Sequence, residues 1–137
     1  MKLIHNSAKV LLTVIFVLPV LGLLGIFPAP TRDLYNTDAA FAFIQLIMSS
    51  AIYIDYMMVA VFAVSAFFLW TKREALAALL IAPITLNIIG FHLFLDGGLL
   101  NGGAVPSLVM LAINVYLLYV NRGVISVLLK KNISSAP

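Results

Sequence analysis

The sequence has no cysteine and very little charge. Without cysteine there is no disulfide exchange, no iron–sulfur cluster and no thiolate metal site. Only 9% of the 137 residues are charged, against about 25% in a soluble globular domain. Hydrophobic residues make up 64% of the chain and the mean hydropathy is +1.15. A surface of that kind does not face water. The composition therefore excludes a soluble enzyme, a disordered chain and an ordinary nucleic-acid binder.

What the chain has instead is long apolar runs. At about 1.5 Å per residue, some 20 residues cross a hydrocarbon core of ~30 Å. The length gives room for four spans, short loops and no extramembrane domain, so residues 1–137 read as a single membrane domain. The first span is expected over Val10–Phe27, after Lys2 and Lys9. It is longer than a signal-peptide core, and Pro28-Ala29-Pro30 makes a poor cleavage site, so it reads as retained. The apolar run from Asp38 to Trp70 is too long for one crossing. It divides near Ser49-Ser50 into a short interfacial helix over Asp38–Met48 and a second span over Ala51–Trp70. Thr71-Lys72-Arg73-Glu74 reads as a capping box, which makes the next turn short and the second and third spans an antiparallel hairpin. The third span is expected over Ala75–Leu95, with a kink at Pro83 because proline cannot donate to the carbonyl of Leu79. The fourth is expected over Ala104–Val120, followed by a tail at the membrane surface. The fold class is thus all-α and integral to the membrane: a four-span bundle with one short interfacial helix between spans 1 and 2.

The few charges orient this arrangement. Lys2, Lys9, Lys72, Arg73, Arg122, Lys130 and Lys131 fall on one side, and Arg32 alone on the other. Seven bases against one is a positive-inside pattern. Asp33, Asp38 and Asp96 join Arg32. A multi-pass protein of the inner membrane is expected, with both termini cytoplasmic.

Polar groups inside spans are the candidates for chemistry. They are Asp55, Asn87, His92 and Asn114, with Tyr53 and Tyr56 beside Asp55. Counted from the ends of their spans, Asn87 and Asn114 both fall near the midplane, where they could hydrogen-bond across spans 3 and 4. The bland reading of both is glue between helices. His92 lies about 6 Å below the outer rim, and Asp55 at a similar depth in the adjacent span. They are expected to meet. A carboxylate there would fix the imidazole tautomer, and the pair could exchange a proton or hold a polar head such as a quinone carbonyl. The alternative is that Asp55 snorkels to the rim and His92 is a polar anchor. Bis-histidine haem and zinc sites fail on depth, since His5 and His92 fall on opposite sides. No charged residue repeats down one face as an ion pathway requires. The sequon Asn132-Ile133-Ser134 falls on the cytoplasmic side.

The segment Ala82-Pro83-Ile84-Thr85-Leu86-Asn87-Ile88-Ile89-Gly90-Phe91-His92-Leu93-Phe94-Leu95 resembles the third-helix signature of the DoxX-like family, roughly A-P-x-x-x-N-I-x-x-F-H-L-F-L. The glycine-bearing loop, the apolar fourth span and the end with Tyr119 and Arg122 are also similar. The resemblance implies a compact four-helix membrane bundle. Some members are subunits of quinone-linked oxidoreductases. It therefore implies an accessory membrane subunit for redox chemistry, with a membrane or peripheral redox partner and quinone as a candidate ligand. Asn87 and His92 are the polar positions that carry over. Two family charges do not: a lysine late in the first span, where this chain has Leu23-Leu24, and a glutamate in the second, where it has Phe62. Asp55, two turns outward from Phe62, is on nearly the same face. A non-catalytic scaffold, or a carrier of a small molecule or lipid, is the competing expectation.

Overall fold

The computed structural model describes residues 2–130. Lys131 and the sequon lie outside them. Six α-helices follow one another: α1 Lys2–Leu23, α2 Asp38–Ser50, α3 Tyr53–Trp70, α4 Glu74–Phe94, α5 Val105–Val120 and α6 Arg122–Leu129. The described residues contain no strand. Four helices are long and apolar enough to cross a membrane: α1, α3, α4, and α5 with its leading turn from Gly102. The chain is a multi-pass membrane protein with an all-α, four-span bundle. α1 packs on α3, α3 on α4, α4 on α5 and α5 back on α1, closing a ring. One end of the bundle gathers the starts of α1 and α4 and the ends of α3 and α5. It is called the near end here, and the opposite one the far end.

Spans 2, 3 and 4 and the short helix α2 fall within a few residues of where hydropathy puts them. The first span does not. α1 begins at Lys2 rather than Val10 and stops at Leu23 rather than Phe27. The early start is possible because Lys9 is neutralised inside the bundle, as described below. The early stop belongs to Gly25, whose φ of 71° reverses the chain while the Ile26 amide donates to the Leu21 carbonyl at 3.0 Å. That is a glycine C-cap, and hydropathy has no sensitivity to it. The other two ends of the hairpin region also differ from expectation. Thr71 does not cap α4: its hydroxyl donates back to the Phe67 carbonyl at 2.8 Å, and the cap residue Arg73 makes no side-chain capping bond. α3 ends instead on Lys72 at φ 61°, with the Arg73 amide on the Phe68 carbonyl. The turn is short because of this C-cap. Glu74 is drawn away from the backbone by stronger, charged partners.

The core occupies the near half and middle of the ring. Leu12 and Phe16 of α1 meet Phe62 and Leu69 of α3, Ala77, Ala78 and Ile81 of α4, and Met110, Ile113 and Leu117 of α5. Paired alanines on α4 let neighbouring backbones approach closely, as small residues do in membrane bundles. Phe16 and Phe62 stack with ring centroids 4.6 Å apart. Asn114 locks the α4–α5 seam by donating to the Ala78 carbonyl at 3.0 Å. It does not reach Asn87. α5 starts level with His92, where Gly103 packs, so Asn114 lies well below Asn87 on the way to the near end. Above Phe62 and Met110, in the far half, the ring is no longer filled.

Candidate functional site

The unfilled space is a cavity of about 380 Å³. Its walls come from all four spans, and α2 lies over it. Ile15 and Pro19 of α1, Phe62 of α3 and Met110 of α5 form its apolar lower part. Phe43, Ile44 and Ile47 of α2 cover one side. α2 can lie there because its own cap holds it: Thr37 Oγ1 accepts from the Ala40 amide at 3.0 Å and donates to the Leu95 carbonyl at the end of α4. Such a pocket, mostly apolar with a few converging polar groups, is the usual form of a small-molecule site.

Asp55, Asn87 and His92 all line this cavity. They come from the first turn of α3 and the last two turns of α4, which the hairpin sets side by side. The expected direct pairing of Asp55 with His92 is not made. His92 Nδ1 instead lies 2.9 Å from Asp96 Oδ2. The reason is local: residue i+4 on the same turn reaches the ring first. Asp55 and Asn87 make no side-chain hydrogen bond among the described residues. Tyr53 is placed outside the cavity, on the lipid-facing side of α3, and Asn114 below it.

Asp96 was expected only as a loop residue ending the third span. It is 1% exposed and holds the far end together. Its Oδ1 accepts from the Asn36 amide at 2.9 Å, and its carbonyl accepts from Asn101 Nδ2 at 3.0 Å. Burial pushes its carboxyl up, but the bonds from the Asn36 amide and from His92, with the imidazole's charge, outweigh that and leave it below its ordinary value. Tyr35, which lines the cavity beside Phe91, has its hydroxyl pushed up by burial and by the Asp96 charge. With Asp96 ionised, Nδ1 of His92 is the donor in this bond, so Nε2 is an acceptor whenever the ring is neutral. Gly103 completes the arrangement. A Cβ there would stand 3.7 Å from both His92 Cε1 and Asp96 Oδ2, so the backbone closes against the pair. The site thus offers an amide that donates and accepts (Asn87), an imidazole nitrogen that accepts (His92) and a carboxyl (Asp55).

No known protein family, characterised protein or solved structure matches this chain.

A second polar cluster lies at the near end, about 27 Å along α4 from His92. Glu74 Oε1 accepts from Lys9 Nζ at 2.9 Å and stands 2.9 Å from His5 Nε2. Lys9 also lies 5.0 Å from the Trp70 ring centroid, and Trp70 Nε1 donates to Thr13 Oγ1 at 3.1 Å. The Tyr116 hydroxyl is 3.4 Å from His5 Nδ1. This cluster ties α1, α3, α4 and α5 together. Lys9 and Glu74 look like a topogenic charge and a cap when each is read alone. Their separation by 65 positions gives no local signal. Asp96, by contrast, carried a readable one: its i+4 spacing from His92. Among the described residues, no three His, Cys, Asp or Glu side chains come together as a metal site.

Proposed function

We propose that this is a DoxX-like membrane protein that holds the polar head of a lipid-soluble small molecule in its far-half cavity, serving as an accessory subunit to a redox partner. The observation that carries the reading is the open cavity beside His92, into which Asp55 and Asn87 bring polar groups with no protein partner among the described residues. Unpaired polar groups are costly in a membrane interior, and a bound head group would satisfy them. A scaffold would have bonded them to one another, as it has bonded Asn114. A quinone or quinol suits this set. Its carbonyl can accept from Asn87, and its hydroxyl can donate to Asp55 or His92 Nε2. The third-helix motif containing Asn87 and His92 supports the same choice. Carriage of a lipid-soluble molecule without a redox partner is the second reading, favoured by the predominantly apolar lower cavity.

Native mass spectrometry of gently extracted protein tests the reading. The expected spectrum has a co-purifying small molecule on the wild-type chain, lost equally from Asp55→Asn and His92→Ala. A bare wild-type chain, with no small molecule and no protein partner, contradicts it.

The near end, with six of the described bases, is proposed to face the cytoplasm, and the far end with its cavity the opposite side. Reporter fusions at the two termini should both report the cytoplasm. Termini on opposite sides would refute the four-span orientation.

A further inference from the structure

The cavity adjoins a lipid-facing groove of the bundle. This groove, of about 440 Å³, runs between α3 and α4 and shares Ile54, Met58, Asn87 and Ile88 with the cavity wall. It begins at Tyr53 and reaches Val61, eight residues along α3, or about 12 Å. Pro83 and Ile84 form its opposite wall. Both helices are membrane spans, so the groove meets acyl chains rather than water. Its lining is apolar except for Tyr53 at the far rim and Asn87 at the junction. Met57 and Met58 are unbranched thioethers that re-pack at little cost.

Asn87 is the second observation. It is exposed on a spanning helix, lines both spaces and has no side-chain hydrogen bond among the described residues. A bare amide facing hydrocarbon is unfavourable unless something passes it that can pair with it. Two other openings adjoin the cavity. The cleft under Pro28–Pro30 opens among the far-end loops and reaches Pro19 of α1 and Val59 of α3. The gap between α2 and α4 is an open space of about 390 Å³ lined by Phe43, Phe91 and Phe94, and Asn87 borders it too. Of the three, the α3–α4 groove reaches furthest along α3, to Val61, with Pro83 opposite.

We propose that the α3–α4 groove is a lateral portal that takes the hydrocarbon tail of a single-chain amphiphile, while its small hydrogen-bonding head passes Asn87 into the cavity. This rests on the ligand-binding reading above and adds the tail and the route. The groove's length suits a single chain of about decyl length.

The test uses the full chain in lipid nanodiscs and two probes: a methylated benzoquinone with a decyl chain, and the same head without it. Ile84→Trp and Val61→Phe fill the groove away from the cavity. Each is expected to weaken the decyl probe at least about tenfold, through lost burial of the tail. Binding of the bare head is expected to be unchanged, which also shows that the variants fold. Val115→Trp, on the exposed face of α5, should change neither. Undiminished decyl binding in both groove variants, with binding still abolished by Asp55→Asn, overturns the portal and leaves the cavity reading standing. Wild-type protein that binds neither probe overturns both. Decyl binding that persists in Asp55→Asn reports partition into lipid and also overturns the proposal. So does an Asn87→Cys variant that forms a disulfide dimer, because the groove would then be covered by a second copy.

Discussion

Asp96 and His92 are four positions apart, and that spacing on a helix end puts a carboxylate against an imidazole. What the spacing does not reveal is the third partner. The Asn36 amide arrives from a loop sixty positions away, and it turns a surface-looking aspartate into a buried one. The carboxyl is held below its ordinary value of 3.8. A depressed folded pKa means that the stabilisation is complete above the unfolded value and is lost as pH falls through the folded one. Thermal unfolding of the extracted protein should therefore show wild type losing stability below about pH 3.8, while Asp96→Asn, already destabilised at neutral pH, loses less over that window. Parallel pH curves for the two proteins would mean that Asp96 does not hold the far end. Asp55, Asn87 and His92 were legible as polar residues in apolar spans. Their convergence on one cavity depends on the hairpin, and so on a turn, more than on the residues themselves.

The helices themselves were largely readable, because a run of some 20 apolar residues has one stable state in a bilayer. Their ends were less so. α1 overran expectation at its start because a lysine normally marks a span boundary, whereas Lys9 is 8% exposed and paired. It stopped early because a glycine cap ends a helix whatever the hydropathy beyond it. The capping-box pattern at Thr71–Glu74 failed for a related reason: a charged pair with Lys9 and His5 outcompetes a backbone amide for the Glu74 carboxylate. This gives a direct expectation. Glu74→Ala leaves Lys9 buried without its counterion, and the loss should be on the order of 3 kcal/mol, the low end for a broken buried pair because Glu74 is part-exposed. A double substitution, Glu74→Ala with Lys9→Met, should recover most of it, since the uncompensated charge is then gone. Urea or thermal unfolding would measure both. Equal stability of the single and double variants would show that the pair does not tie α1 to α4.

For the molecule as a whole, scarcity of charge decided the class, and the long apolar runs decided the number of spans. The four-span bundle follows from these two. The unfilled far half does not, because a cavity is a property of how four helices diverge and no single stretch encodes it. The core residues Phe62 and Met110 close its lower part. Above them the bundle is open and polar on one wall, with a lipid-facing groove against it. The central claim is that this space is a binding site for a lipid-soluble molecule. The most direct measurement is adduct mapping with a photoactivatable decyl-benzoquinone in nanodiscs, read by peptide mass spectrometry. The expected adducts fall on cavity and groove residues such as Met58, Ile88 and Met110, and an excess of the unlabelled compound suppresses them. Adducts spread over outward-facing positions such as Leu79, Leu80 and Val115, and insensitive to competition, would contradict the claim.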